Sequence, residues 1–358
     1  MDLNQYMEQG IHAIAHTAAK FYLTDKQGRR FLAGFIPALK KSADIRKSKE
    51  ASGLHVPPFL IASITSSCNL HCSGCYARAD GMCCDSGEPE DDLTDSEWEK
   101  VFSQASQLGV SFVLLAGGEP LLRRDVLEAA AAYKNMTFPV FTNGLLLQDS
   151  YLDLFDDNRN LIPVISVEGR KERTDLRRGA GVAEKIEHLM EALKERGILF
   201  AVSITVTSEN VHEIAGEQHL DELRKKGCGV VFYIEYVPAE TGTEELVLSS
   251  EQLAWLTEET LRLKKRYKDM AILSFPGDEQ FMGGCLAAGR GFFHISPKGS
   301  AEPCPFSPFS RLNVKREGLE KILTSSFFRQ VREIEERAQD HHGGCTLFLH
   351  QQEVKSLL

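Results

Sequence analysis

From residue 59 onward, short apolar runs alternate with amphipathic stretches of helical period. The segment 59–65 (Phe-Leu-Ile-Ala-Ser-Ile-Thr) predicts a first strand that ends at a cysteine. Thr94-x-x-Glu97 has the form of a capping box and predicts a helix from there to about Leu108. Further strands are expected at 111–116, 139–141, 161–167, 199–206 and 230–237. Helices are expected at 124–134, near Ser150, and at 182–196, 213–226 and 251–268. Six βα units in succession call for a parallel sheet, because parallel strands need crossover helices. Right-handed crossovers curl such a sheet into a barrel or an open partial barrel. Function in these folds gathers at the C-terminal ends of the strands.

The flanking regions follow other patterns. Residues 1–55 read as a helical segment, with Phe31, Leu32, Phe35, Ile36 and Leu39 at helical spacing among many Lys and Arg residues and Pro37 interrupting. Such a helix is expected to pack on the main domain with its charges in water. A basic amphipathic helix can also lie on a membrane, and that reading stays open. Residues 56–268 form the expected main domain. Within 269–358, the runs 292–296 and 301–304 flank Pro-Lys-Gly-Ser and predict a hairpin. A helix over 317–338 and then His341-His342-Gly-Gly-Cys345 follow, reading as a small cysteine-bearing appendage.

The chain has 358 residues and a formal net charge of −10. That balance argues against a general nucleic-acid binder. The N-terminus lacks a basic region followed by an apolar core, and no run is long enough to span a membrane, so a cytoplasmic location is expected. There are nine cysteines, and their clustering matters more than their number. Cys68, Cys72 and Cys75 form one group, Cys83 and Cys84 follow closely, Cys228 stands alone, and Cys285, Cys304 and Cys345 lie near the end. Three thiolates on one loop after a strand can hold three irons of a [4Fe–4S] cube and leave the fourth open to a small molecule. Structural zinc usually takes four ligands in two close pairs, and C-x3-C-x2-C is not that spacing.

Cys68, Cys72 and Cys75, then Gly117-Gly118-Glu119-Pro120, then Thr142-Asn143-Gly144, each at an expected strand end, resemble the radical S-adenosylmethionine (SAM) superfamily over about residues 58–240. The resemblance implies a partial (β/α)6 radical SAM barrel, an α/β fold. The three cysteines would bind a [4Fe–4S] cluster whose open iron chelates SAM. Gly117 and Gly118 would let backbone approach SAM, with Glu119 accepting from its ammonium. Pro120, Asn143, Ser166 and Glu168 would supply further contacts, and Arg178 would pair with the SAM carboxylate. Gly74 stands where many members carry an aromatic residue against the adenine; Tyr76 is the nearby ring. A one-electron donor such as ferredoxin or flavodoxin would reduce the cluster. The SAM sulfonium would then break to methionine and a 5′-deoxyadenosyl radical, which abstracts hydrogen from substrate.

Cys285, then Gly299-x4-Cys304, resemble the start of the SPASM extension of this superfamily or its shorter twitch form. With Cys345 they would hold a probable auxiliary [4Fe–4S] cluster, its fourth iron open or bound by His341, His342 or His350. Glu235 and Tyr236, at the end of the sixth strand, are candidates for moving a proton or positioning the substrate, and Tyr233 stands beside them. The substrate class (peptide, protein or small metabolite) is left open. Two other readings are carried forward: a non-catalytic iron–sulfur or zinc protein, and a membrane-associated radical enzyme acting on lipid.

Overall fold

The computed structural model describes residues 14, 16–23, 26–84, 91–337 and 345–358. His341 and His342 lie outside the described residues.

Six parallel strands form as expected: β1 (Phe59–Ser63), β2 (Phe112–Ala116), β3 (Phe138–Thr142), β4 (Leu161–Val167), β5 (Ala201–Val206) and β6 (Val230–Glu235). A seventh, β7 (Ala271–Phe275), continues the series beyond the expected boundary at residue 268. The hairpin also forms, as β8 (His294–Ile295) and β9 (Ala301–Glu302). The sheet is continuous in the order β7-β6-β5-β4-β3-β2-β1-β8-β9, with β8 parallel to β1. The C-terminal region is therefore built onto both edges of the barrel sheet rather than hung from one end. A buried chain of side chains reinforces the join at β1. Ser63 Oγ lies 2.8 Å from His294 Nε2, and His294 Nδ1 lies 2.7 Å from Glu302 Oε2.

The curled sheet is an α/β half-barrel with helices on its outer face. The Thr94–Glu97 capping box is formed, and the helix it opens ends in left-handed Gly109. Two expected helices are broken: 213–226 becomes Val211–Ile214 and Glu217–Lys225, and 317–338 becomes Leu319–Leu323 and Ser326–Arg337. An unexpected helix, Lys171–Arg178, follows β4.

The N-terminal helix Lys26–Ala51 runs through Pro37, which faces solvent, where water can satisfy the carbonyl that loses its partner. Leu32 packs with Ala18, Tyr22, Ile162 and Leu199. Ile14 packs on a cluster of Val164, Ala201, Val230 and Ala271; the last three open their strands, and Val164 pairs with Ala201. Tyr22 is fully buried and donates to the Arg159 carbonyl at 3.1 Å. The apolar face of this basic segment is thus spent on closing the bottom of the barrel. No helix among the described residues is long and apolar enough to cross a membrane.

Candidate functional site

The loop after β1 carries Cys68, Cys72 and Cys75, and the turn after β2 is laced to it. Gly118 N–H donates to the Thr65 carbonyl and Glu119 N–H to the Ser67 carbonyl, each at 2.8 Å. A Cβ on Gly117 would press on the Thr65 backbone, and one on Gly118 would overlap the Ser67 carbonyl. These positions need glycine because the cysteine loop's own backbone lies against them, whatever ligand the site takes. Asn143 ties β3 to the same loop: its Nδ2 donates to Asn69 Oδ1 at 2.8 Å, and its Oδ1 accepts from Leu145 N–H.

Glu119 is bound into the fold itself. It is almost wholly buried, and it accepts from Thr142 Oγ1 at 2.7 Å, Leu121 N at 3.0 Å and Asn143 N at 2.8 Å. It pins the ends of β2 and β3 together, and Pro120 starts the turn it caps. Burial drives its pKa up to about 7, against the pull of those three donors. An acid whose pKa is raised on folding binds its proton more tightly folded than unfolded. Its contribution to stability is thus present below the usual carboxylate pKa and is lost as pH rises from about 4.5 through 7. In urea unfolding of the apoprotein, the wild type should lose up to about 3 kcal/mol more than Glu119→Gln between pH 5 and pH 8. Equal losses in the two proteins would show that Glu119 does not titrate in this window.

The three loop thiols are free of disulfides and partly exposed. The neighbouring Cys83 thiol, with Leu70 N–H, Arg78 and His71, lowers the Cys68 pKa to about 6 against the opposing effect of burial. Burial raises Cys72, with Arg178 and Arg177 pulling the other way. Cys72 and Cys75 open onto a cavity of about 720 Å³, whose walls include Arg78, Arg177, Arg178, Gly179 and Glu240.

Glu168, buried at the end of β4, anchors the cavity's cationic wall. Its Oε1 accepts from Arg177 Nη1 at 2.6 Å and from Arg178 Nε at 2.9 Å and Nη2 at 2.6 Å. Arg178 Nη1 stands 4.0 Å from Cys72 Sγ. Arg177, which the sequence reading passed over, also donates to Thr205 Oγ1 at 2.6 Å and the Ser73 carbonyl at 3.0 Å. The double arginine at the end of a polar helix was its available signal. Ser166 lies in register with Ser203, which lies in register with Phe232. All three are partly exposed on strands whose neighbouring residues are buried, placing them on the lumen face.

Glu235 is not on that face. It shares the side of Tyr233, whose hydroxyl donates to the Ile214 carbonyl on the helical layer. Its carboxylate lies against Gly277 in the segment leading to Cys285. The expectation that Glu235 faces the lumen fails because strand alternation sends residues 233 and 235 outward. Tyr236 does reach the site. Its hydroxyl donates to Thr243 Oγ1 at 2.7 Å, and its ring lies over left-handed Gly74, where a Cβ would meet that hydroxyl at 2.7 Å. Gly74 N–H donates to Glu240 at 2.7 Å. Tyr76 instead turns toward the C-terminal region, its ring edge-on to Phe306 with centroids 5.1 Å apart.

Cys285, Cys304 and Cys345 come together. Burial raises all three thiol pKa values, and the same two carboxyls, Glu279 and Glu335, add to the rise at each. Glu279 Oε1 accepts from Leu286 N at 3.1 Å, and Ala288 N–H donates to the Pro303 carbonyl, joining the Cys285 and Cys304 segments. Cys345 stands at the start of the helix Thr346–Leu349. His350 faces Glu353 at 3.6 Å. Among the described residues, no three His, Cys, Asp or Glu side chains converge closely enough to hold a single metal ion.

Residues 62–220 match the family model described as the radical SAM superfamily. These residues form a radical SAM domain. The chain is 26% identical over 309 residues to the AdoMet-dependent heme synthase of Methanosarcina barkeri, covering 78% of this chain and 86% of that protein. It is 25% identical over 276 residues to the PqqA peptide cyclase of Granulibacter bethesdensis, covering 71% and 69%. Among solved structures, Streptococcus suis SuiB superposes with a TM-score of 0.68 at 16% identity, covering 92% of this chain and 81% of SuiB. The AdoMet-bound structure of anSMEcpe gives 0.60 at 17% identity, covering 79% and 84%. The chain is a radical SAM enzyme, and the family implies a SAM-binding [4Fe–4S] cluster. The residues present fit that group: three free thiols on one loop, two of them open to a cavity of ligand size beside paired arginines.

Proposed function

We propose that Cys68, Cys72 and Cys75 hold the cluster of this radical SAM enzyme and that SAM occupies the adjoining cavity. The convergence of Cys72 and Cys75 with Arg177 and Arg178 on one cavity carries the reading. The bound cluster and SAM together supply a 5′-deoxyadenosyl radical for hydrogen abstraction. The protein's part is to orient and shield. Arg178, held by Glu168 and close to Cys72, presents a fork suited to a carboxylate. Ser166 offers a hydroxyl from the lumen wall. Gly117, Gly118 and Asn143 fix the loop, while Tyr236 covers Gly74 and supplies an aromatic surface there. A one-electron donor such as ferredoxin or flavodoxin reduces the cluster.

The second cysteine group, Cys285, Cys304 and Cys345, holds an auxiliary [4Fe–4S] cluster in a SPASM/twitch-like extension. Their shared buried surroundings support this. Tyr76, packed on Phe306 two residues beyond Cys304, links the two cysteine regions. The named activities of the relatives, heme synthesis and peptide cyclisation, point to a peptide, protein or small metabolite as substrate.

Anaerobically reconstituted protein should bind about eight irons and form 5′-deoxyadenosine from SAM under dithionite. Cys83, though it neighbours Cys68, is outside the ligand set. Cys83→Ala should therefore retain the first cluster and more than about half of the SAM cleavage. Loss of four irons in Cys83→Ala would make it a ligand and close the site to SAM. Absence of SAM cleavage in iron-replete wild type would sink the reading.

A further inference from the structure

Glu335 stands out among the buried polar groups. It lies on the helix Ser326–Arg337, is 4% exposed, and among the described residues neither of its carboxylate oxygens has a hydrogen-bond partner. A buried carboxylate left without donors costs several kcal/mol, so a fold that keeps one needs a use for it. The groups around it are Cys285, whose thiol it faces, Arg290, Arg332, Glu336 and Glu279, the last already engaged by Leu286 N–H. Arg290 is committed to the carbonyls of Met282, Gly284 and Cys285, and Arg332 to that of Ala288. The cationic neighbours are thus fastened to backbone, which ties this helix to the Cys285 segment and leaves the Glu335 carboxyl beside the Cys285 thiol.

We propose that Glu335 is the fourth protein ligand of the auxiliary cluster, binding through a carboxylate oxygen the iron that Cys285, Cys304 and Cys345 leave open. This rests on the reading that those cysteines hold a cluster. A cube held by three thiolates has one iron to fill, and a carboxylate oxygen is a competent anionic donor for iron. His350, the one described histidine offered by the sequence, is turned to Glu353 instead. Ligation by Glu335 closes this cluster to substrate. Its role is then electron transfer rather than substrate binding, in contrast to the open first cluster.

The test uses full-length chain carrying Cys68→Ala, Cys72→Ala and Cys75→Ala, so that iron reports the second centre alone. With Glu335 intact, reconstitution should give about four irons and a cubane spectrum that survives mild oxidation. Glu335→Ala should lose one iron on the same oxidation and show the electron paramagnetic resonance signal of a three-iron cluster. Glu335→Gln, nearly isosteric, controls for packing and should behave as Glu335→Ala does. Glu335→Cys should restore four stable irons at a more negative midpoint potential. If Glu335→Ala and Glu335→Gln keep four oxidation-stable irons and an unchanged potential, Glu335 is not the ligand although the cluster exists. If His341→Ala, His342→Ala or His350→Ala instead produces the three-iron signal, the fourth ligand is that histidine. If the background holds no iron with Glu335 intact, the cluster reading itself fails, and Glu335 with it.

Discussion

Replacing Cys68, Cys72 and Cys75 together with alanine is expected to give a folded chain with about four fewer irons that forms 5′-deoxyadenosine at least about a hundredfold more slowly. The loss should be this large because no neighbouring thiol can take over. Cys83 reaches Cys68, but one thiol cannot anchor a cube, and Cys84 is exposed and turned toward Ser66. The chain should still fold because the loop is held by backbone rather than by its thiols. Gly118 and Glu119 N–H bind the Thr65 and Ser67 carbonyls, Cys84 N–H binds the Ser66 carbonyl, and Asn143 holds Asn69. Iron analysis, the visible spectrum and chromatography of the deoxyadenosine product under dithionite read the outcome. A triple variant that keeps SAM cleavage would place the cluster elsewhere.

The order of strands was clearer in the sequence than the surroundings of each side chain at the strand ends. The βα alternation and the strand ends were legible because apolar runs and helical amphipathicity have different periods, and the Thr94–Glu97 cap marked a boundary sharply. The seventh strand, β7, was missed because 271–275 is short and follows a long helix into what reads as an appendage. Pro37 looked like a helix stop, yet on an exposed face its cost is modest and the helix continues. The glycine pair reads in the sequence as a place where backbone approaches SAM; in the fold the chain's own Ser67 backbone also lies against it, a long-range contact that local pattern does not encode. Glu119 reads as a ligand contact, and its bracing of β2 and β3 is likewise invisible to local pattern. Glu235 was misassigned because the strand register, which decides between lumen and outer face, flips with a one-residue choice. The orphaned Glu335 left no signal at all; in sequence it is one acidic residue in a charged amphipathic helix.

The second large effect is expected at Glu168. One carboxylate oxygen holds two guanidinium groups, and the side chain is 4% exposed, against 20% for Arg177 and 10% for Arg178. Removing the partner of a buried ion pair costs about 3–5 kcal/mol, since the remaining charge is left without compensation. Arg177 keeps Thr205 and the Ser73 carbonyl, so Glu168→Ala should fall near the lower figure. Arg178 has no such reserve: among the described residues, its other polar contact is Cys72 Sγ at 4.0 Å. Without Glu168 its fork is free to swing toward the thiolates or into solvent, and a bidentate site that loses its orientation loses affinity as well as stability. Glu168→Ala should therefore retain about four irons on the first cluster but bind SAM at least about tenfold more weakly, with a clear drop in the urea midpoint. Arg178→Lys keeps the charge without the fork, and it should weaken SAM binding with a smaller loss of stability. The comparison separates the two roles of the network. If both variants lose stability but bind SAM as the wild type does, Glu168 and Arg178 brace the cavity wall without contacting the ligand. If Glu168→Ala changes neither property, solvent at the cavity mouth already screens the pair.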